Sequence, residues 1–237
     1  MIKVNIAGLP IAIDNKFSEV AEIAKDYLTN EEPVFTVSVT DGDIEEERTV
    51  SETDYPKGYY ESIISYRKIA ERLPEYDAYL FHGCAIEYGG LAYVITASSG
   101  VGKTTHMYLW LKEFGREVSI INGDKPTVRI IDGEPYVYGT PWRGKEGHGK
   151  NTSAKIGGIV FLSRGEENKA EEITLSEAST RFISQIYLPK KTRSALVKTL
   201  RLADQTIKKV KLVSLECNMD SEAAHVCRDA LLKNSEN

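Results

Sequence analysis

The stretch that decides the fold is YVITASSGVGKTTHMYLW, residues 93–110. It begins as an apolar β-strand, continues through a loop of small residues and reaches Gly-Lys-Thr-Thr as a helical pattern starts. Residues 97–104, ASSGVGKT, fit the phosphate-binding pattern G-x-x-x-x-G-K-[ST] with Ala97 in place of its first glycine. Because a strand precedes this phosphate loop (97–104) and a helix follows it, the sequence predicts nucleotide binding.

The phosphate loop is expected to hold a triphosphate mainly through its backbone. In such a loop the N–H groups point inward to phosphate oxygens, and the following helix adds the positive end of its dipole. Lys103 would reach the terminal phosphates, and the Thr104 hydroxyl would bind Mg²⁺. The residues predicted to bind ATP are Ser99, Gly100, Val101, Gly102, Lys103, Thr104 and Thr105.

Length and composition are those of a soluble protein with a sizeable core, since 41% of the 237 residues are hydrophobic and 27% are charged. The formal net charge of -5 argues against a nucleic-acid-binding protein. The N-terminus has no secretory signal pattern, and no apolar run approaches the roughly 18 residues of a membrane span. We therefore expect a cytoplasmic protein with no membrane contact. Cys84, Cys217 and Cys227 lack C-x-x-C spacing, which predicts buried thiols rather than a zinc site or disulfides.

Two regions are predicted: a small N-terminal α+β module over residues 1–75 and a nucleotide-binding domain over residues 76–237. In the module, residues 41–58 are polar and acidic and are predicted to form a surface loop. The other predicted elements of the module are strands at 2–7, 10–13 and 34–40 and helices at 17–28 and 59–73.

In the second region, the glycine pair 89–90 predicts a hairpin whose second strand leads into the phosphate loop. Residues 78–88 would form its first strand. Ser176 is the expected N-cap of a helix over 175–188, and Asp220 of the last helix. Further strands are predicted at 118–121, 127–131, 135–138, 156–163 and 210–215, and a further helix at 192–207.

Three blocks of this second region carry a family resemblance: FHGCAIEYGGLAYVITASSGVGKTT (81–105), INGDKP (121–126) and GTPWRGKE (139–146). They resemble the HPr kinase/phosphorylase and phosphoenolpyruvate carboxykinase superfamily, and more closely the small HPr-kinase-like proteins of Gram-positive bacteria. The resemblance covers roughly residues 78 to 230. It implies a mixed-sheet α/β P-loop kinase core that uses ATP and Mg²⁺ to phosphorylate a hydroxyl group, in a protein that can form homo-oligomers.

The resemblance also implies catalytic residues at matching positions. His82 matches a histidine that the family has on the strand before the phosphate loop, and Lys103 and Thr104 match the lysine and hydroxyl residue of that loop. Where the family has two aspartates, this chain has Gly123-Asp124. The resemblance therefore assigns the metal to Thr104 and Asp124 and leaves a single carboxylate for catalysis.

Residues 139–153, GTPWRGKEGHGKNTS, are rich in glycine and cations, and we call them the basic loop. Such a loop can close over phosphate charge and exclude water. Its candidate substrate or phosphate residues are Arg143 and Lys145, and Glu146 is a candidate for the missing second carboxylate. Trp142 is predicted to anchor the loop by packing.

Three functions remain open on the sequence. The first is a kinase that transfers the γ-phosphoryl group of ATP to a hydroxyl, for instance a serine of a protein or peptide. The second is a catalytically weakened nucleotide-binding module that recruits a partner, which Gly123 favours. The third, a carboxykinase-type reaction on a small molecule, has less support because few cations precede the phosphate loop. A GTPase is not supported, since no N-K-x-D signature is present.

Overall fold

A computed structural model describes residues 1–233. Its N-terminal part contains β1 (Ile2–Ile6), β2 (Leu9–Asp14), α1 (Glu19–Ile23), β3 (Phe35–Ser38), α2 (Asp41–Val50) and α3 (Lys57–Arg72). Strand β2 lies in the middle of a three-stranded sheet, antiparallel to β1 and parallel to β3. The predicted strands and the helix over 59–73 are confirmed, whereas the helix over 17–28 is shorter than predicted and continues as a 3₁₀ turn over Lys25–Tyr27.

The prediction of a surface loop over 41–58 is wrong for its first half, which forms α2. The reason is a capping box: the Thr40 hydroxyl accepts a hydrogen bond from the Asp43 N–H, and the Asp43 carboxylate accepts one from the Thr40 N–H. These bonds satisfy groups that a helix start otherwise leaves unpaired. Ile44 supplies a buried apolar contact for the otherwise polar helix.

The rest of the chain begins with β4 (Ala78–Leu80), β5 (Cys84–Tyr88), β6 (Leu91–Thr96), α4 (Lys103–Phe114), β7 (Val118–Asn122), β8 (Thr127–Ile131) and β9 (Glu134–Tyr138). It ends with β10 (Ser153–Arg164), β11 (Lys169–Glu172), α5 (Leu175–Ile183), α6 (Arg193–Ile207), β12 (Lys211–Cys217) and α7 (Glu222–Leu232). The predicted mixed α/β class is confirmed. The hairpin is also confirmed, with Gly89 and Gly90 at φ values of 61° and 80°.

Four local predictions in this region need correction. The helix predicted over 175–188 ends at Ile183. The run 78–88 is two strands, because β4 pairs with β8 while β5 pairs with β6 and β7. The cap of α5 is Thr174 and not Ser176, since Thr174 forms a capping box with Glu177. The N-cap of α7 is Ser221, one residue after the predicted Asp220.

Within residues 1–233, the larger sheet has nine strands and bends at β10 into two halves. The start of β10, residues 153–155, pairs antiparallel with β9. Beyond an irregularity between Ile156 and Gly158, the same strand runs parallel to β6 and β12. One half therefore contains β4, β8 and β9, and the other contains β7, β5, β6, β12 and β11.

Alternate residues of β6 pack against different helices. Tyr93 and Ile95 belong to a core cluster with residues of α4 and α7, including Trp110. Ala92 and Val94 belong to a second cluster with residues of α5 and α6, including Phe182. Helices thus cover both faces of the sheet around the strand that leads into the phosphate loop.

The N-terminal sheet packs against α3 in a third cluster, which also includes Ala78 and Leu80 of β4. Hydrophobic contacts therefore cross the predicted boundary at residue 75, and the division into two domains stays a prediction. The three cysteines are free and buried, as predicted. No helix within residues 1–233 combines the length and the apolar character needed to cross a membrane.

Candidate functional site

The phosphate loop connects the end of β6 to the start of α4. Gly100 has a φ of 78° and Gly102 a φ of 122°, in the region that favours glycine. The backbone N–H groups of Ser99, Gly100 and Gly102 form no hydrogen bond with any group in residues 1–233. Together with the first N–H groups of α4, they are donors that remain available to an anion.

The Lys103 ammonium lies across the base of this loop. Its Nζ donates to the Ala97 carbonyl oxygen at 2.9 Å and to the Ser98 carbonyl oxygen at 3.3 Å. Partial burial lowers the pKa of Lys103 below its usual value. The lysine therefore holds the loop closed on itself through bonds that a phosphate could replace.

Arg164 supports the loop from the neighbouring strand and was not predicted from the sequence. It is the last residue of β10, which is parallel to β6. Its Nε donates to the Val101 carbonyl oxygen at 3.0 Å, and its Nη2 donates to the Gly100 carbonyl oxygen. These bonds fix the carbonyl groups of the loop, but no local motif marks an arginine 63 residues after Val101 as their partner.

His82 and Asp124 meet because the chain crosses between the two halves of the sheet twice at one place. Residues 81–83 connect β4 to β5, and residues 123–126 connect β7 to β8. The two crossings are bonded to each other, by the Phe81 N–H to the Pro126 carbonyl and by the Gly83 N–H to the Asp124 carbonyl, both at 3.0 Å. His82 therefore lies between strands and not on one, which corrects its predicted position.

The Asp124 carboxylate is held by two basic groups. Its Oδ1 lies 3.4 Å from His82 Nε2, and its Oδ2 accepts a hydrogen bond of 2.8 Å from Lys125 Nζ. Burial alone would raise the pKa of Asp124, but the hydrogen bonds and charges of His82 and Lys125 outweigh it and lower the pKa to about 2. Asp124 is therefore ionised at neutral pH, although Lys125 partly neutralises it.

Asn122, which is completely buried, positions Asp124. Its Oδ1 accepts hydrogen bonds from the N–H groups of Asp124 (2.8 Å) and Lys125 (2.7 Å), and its Nδ2 donates to the carbonyl and hydroxyl oxygens of Thr140. The turn that carries the carboxylate is thus tied to the first residues of the basic loop. No role was predicted for Asn122 from the sequence.

Replacing Asn122 with alanine should lower both stability and any turnover. The change leaves two backbone N–H groups without their acceptor, at about 1–3 kcal/mol each, so we expect a loss of at least about 2 kcal/mol in the free energy of unfolding. Urea unfolding checks this result. Asn168→Ala is the control, because Asn168 also accepts a backbone N–H, from Asn218 at 3.1 Å, but lies outside the cleft. Equal losses of turnover in the two variants would contradict the positioning role of Asn122.

The phosphate loop, His82 and Asp124 face one cleft of about 510 Å³. The basic loop forms its other wall. The residues that line the cleft are His82, Ser99, Gly100, Gly102, Lys103, Thr104, Thr105, Met107, Gly123, Asp124, Lys125, Arg143, Gly144, Lys145, Glu146 and His148. Every predicted site residue is among them except Val101, whose carbonyl faces Arg164. Lys125 and His148 were not predicted as site residues, and His148 is held by the Tyr108 hydroxyl at 2.6 Å.

The three predicted basic-loop residues differ in their freedom. Arg143 Nη2 is 2.9 Å from Asp26 Oδ2, and the guanidinium lies over the Tyr27 ring at 5.4 Å, so this side chain is bound to the N-terminal part. Lys145 and Glu146 form no hydrogen bond or ion pair within residues 1–233. Lys145 is therefore the cation of this loop that can move to a bound phosphate. Trp142 anchors the loop by packing as predicted, since it packs against the core cluster of the N-terminal sheet and α3. Its Nε1 also donates to Ser62 Oγ at 3.0 Å.

The side chains at the cleft fit magnesium bound together with phosphates. Mg²⁺ in such sites takes one or two carboxylates, and Asp124 and the Thr104 hydroxyl offer one carboxylate and one hydroxyl in the same cleft. To bind the ion directly, Asp124 Oδ2 would have to release Lys125. Among residues 1–233, no three His, Cys, Asp or Glu side chains are grouped so that they could hold a metal ion.

No family model matches this chain, and no curated protein matches it. Among solved structures, the chain is similar to the Hpr(Ser) kinase/phosphatase from Coxiella burnetii. The TM-score is 0.36 and the identity 8%, over 63% of this chain and 94% of that chain. This is a distant similarity of fold.

Proposed function

We propose that the protein is an ATP- and Mg²⁺-dependent kinase that transfers the γ-phosphoryl group to a hydroxyl of a protein or peptide. The observation that carries the proposal is that Lys103, Thr104 and Asp124 line a single cleft beside free backbone N–H donors. These are the groups that phosphoryl transfer needs for positioning and charge stabilisation. The resemblance of the sequence motifs supports the same function.

In this proposal the phosphate loop and Lys103 hold the phosphates of ATP, and Lys145 adds positive charge from the basic loop. When bound, Mg²⁺ would supply neutralisation of charge on the β- and γ-phosphates. The acceptor oxygen forms a bond to the γ-phosphorus while the bond from that phosphorus to the bridging oxygen breaks, and ADP leaves. The proton of the hydroxyl is transferred late in the reaction. It passes first to the Asp124 carboxylate and from there to water.

A pKa of about 2 makes Asp124 a weak base at neutral pH. Its negative charge is therefore more important for orienting the hydroxyl and the metal than for removing the proton early. A loose transition state is compatible with this role, because bond breaking precedes most of the proton transfer. With Mg²⁺ held by Thr104 and Asp124, Lys125 would be released from Asp124 and could reach the phosphates, because it lines the same cleft.

The test is incubation with γ-labelled ATP, Mg²⁺ and serine-containing peptides, with label in peptide and label in free phosphate measured separately. Label in a peptide hydroxyl is the expected result. Hydrolysis or tight ATP binding without any labelled hydroxyl would instead favour the second candidate, the nucleotide-binding module that recruits a partner. Gly123, in place of a second carboxylate, is the observation that favours this candidate.

Gly123→Asp tests whether a second carboxylate would fit. A Cβ at position 123 would lie 3.1 Å from the Arg143 carbonyl oxygen and 3.2 Å from the His148 carbonyl oxygen, so the basic loop would have to shift. We expect a destabilisation of about 1–3 kcal/mol and no gain in turnover. Gly123→Ala is the matched control, because it adds the same Cβ without charge. Turnover that rises in the aspartate variant alone would support a weakened enzyme.

A further inference from the structure

A second cleft, of about 720 Å³, adjoins the first. It lies between α3, the start of the basic loop and residues 184–187, and it includes residues of the N-terminal part. The two clefts share His82, Asp124, Lys125, Arg143, Gly144 and Lys145. A group bound in the second cleft would therefore meet the Asp124 carboxylate without displacing the phosphate loop's ligand.

Three polar atoms of residues that line this second cleft are buried without a partner within residues 1–233. They are Nε of Arg143, the hydroxyl oxygen of Tyr66, a residue only 8% exposed, and Oε1 of Gln185. The Arg143 guanidinium is already bound to Asp26 through Nη2, so the atoms of Tyr66 and Gln185 are the two that bear on a ligand. Buried polar atoms in proteins are normally hydrogen-bonded. Burial and the nearby charge of Asp124 raise the pKa of Tyr66 well above its usual value, so its hydroxyl stays protonated and can donate. The Tyr66 hydroxyl and Gln185 Oε1 therefore indicate that a ligand with polar groups completes the cleft.

The chemistry of Gln185 can be assigned from its neighbour. The Ser184 hydroxyl donates its only proton to the Arg181 carbonyl at 2.7 Å, so it must accept from the Gln185 amide, which lies 3.0 Å away. The atom facing Ser184 is therefore the Gln185 nitrogen, and Oε1 is an acceptor. A ligand that satisfies both atoms has an N–H group for Gln185 and an acceptor oxygen for Tyr66.

The same cleft has an apolar side that belongs to the N-terminal part. Ile23 of α1 is 37% exposed and Tyr59 of α3 is 43% exposed, and the half-buried Ile63 of α3 lines the same cleft. Trp142 closes this side, with its ring centroid 5.0 Å from that of Tyr66. Apolar surface of this kind beside buried polar atoms is typical of a ligand site.

We propose that this cleft binds an extended peptide, with a serine or threonine hydroxyl at Asp124 and the bulky apolar side chain of an adjacent residue against Ile23, Tyr59 and Ile63. The inference rests on the proposed kinase function. A peptide backbone supplies both an N–H for Gln185 and a carbonyl oxygen for Tyr66 next to its side chains. The cleft has the size of a small-ligand site rather than of an interface with a folded protein.

The direct test uses two peptides that differ only beside the serine, where one has phenylalanine and the other alanine. A second pair carries alanine in place of the serine, so that binding is measured without transfer. Trp142 lies in the cleft while Trp110 is fully buried, so tryptophan fluorescence reports binding. Since the phenylalanine ring would be buried, we expect its peptide to bind about 10–100-fold more tightly.

A matched pair of variants localises the effect. Ile23→Asn should bring the affinity for the phenylalanine peptide to that for the alanine peptide. Leu200→Asn is the control, because Leu200 is also 37% exposed but lies on α6 outside both clefts, and it should leave both affinities unchanged.

The possible failures can be told apart. Equal affinity of the wild-type protein for the two peptides would overturn this inference and leave the kinase function standing. Binding of the aromatic alcohol 2-phenylethanol without binding of either peptide would also overturn it, in favour of a small-molecule acceptor. Preferential binding of the phenylalanine peptide with no labelled serine would instead contradict the kinase function. The inference that the second cleft binds a peptide would then still hold.

Discussion

Lys103→Ala is expected to reduce phosphoryl transfer by about 10²–10³-fold, the effect of removing one preorganised donor from a site of developing charge. ATP affinity should fall as well, because the ammonium belongs to the loop that is proposed to bind the phosphates. Part of the loss has a structural cause, since Lys103 also donates to the carbonyl oxygens of Ala97 and Ser98. Turnover with labelled ATP and calorimetric ATP binding are the measurements.

Lys112→Ala is the matched control for this prediction. Lys112 lies on the same helix and donates to Ser221 Oγ at 3.1 Å on the surface. It should leave transfer and affinity near their original values, and both variants should unfold cooperatively. If the Lys103 variant retained full ATP affinity and turnover, the phosphate loop would not be a nucleotide site.

Asp124→Asn is the second change with a large expected effect. It keeps the shape of the side chain but removes the negative charge that is proposed to orient the acceptor and to contribute to a metal site, so turnover should fall by about 10²–10⁴-fold. ATP binding without metal should change little or strengthen, because a like charge near the phosphates is gone. Asp77→Asn is the control, since Asp77 also pairs with a lysine, Lys198 at 3.0 Å, outside both clefts.

The low pKa of Asp124 fixes the sign of a pH effect. The pKa is about 2 in the folded protein and about 3.9 for an unperturbed aspartate. The carboxylate therefore stabilises the fold above about pH 4, and this contribution is lost as the pH falls toward 2. The stability difference between the wild type and Asp124→Asn should shrink over that range in urea unfolding. A constant difference from pH 6 to pH 2 would contradict the ionised pair.

Features set by neighbouring residues could be predicted from the sequence. The strand, phosphate loop and helix over 93–110 and the turn at Gly89-Gly90 depend on local periodicity and on glycine φ angles. Helix α2 also had a local signal, the pair Thr40 and Asp43, but its acidic surface concealed the helix. The capping box uses Asp43 where the usual pattern has glutamate or glutamine.

Features that depend on distant contacts could not be predicted in this way. Arg164 reaches the phosphate loop only because β10 lies parallel to β6, and Asn122 acts through Thr140 in another connection. The second cleft needs α1, α3 and residues 184–187 in one place, and nothing in these segments is a motif. The sequence could place His82 and Asp124 in one site only through the family resemblance, because their meeting requires both crossings between sheet halves.

The attachment of the basic loop to the N-terminal part has a consequence for how the cleft closes. The Asp26 carboxylate binds Arg143, and the Asp26 carbonyl oxygen accepts a hydrogen bond of 2.9 Å from Asn151 Nδ2. Both ends of the segment 144–150 are thereby fixed before any ligand arrives. The conformational entropy of those ends is lost during folding, so the proposed closure over a ligand would have to order only a short arc around Lys145. Residues of this arc can consequently change during evolution without altering where the loop is attached.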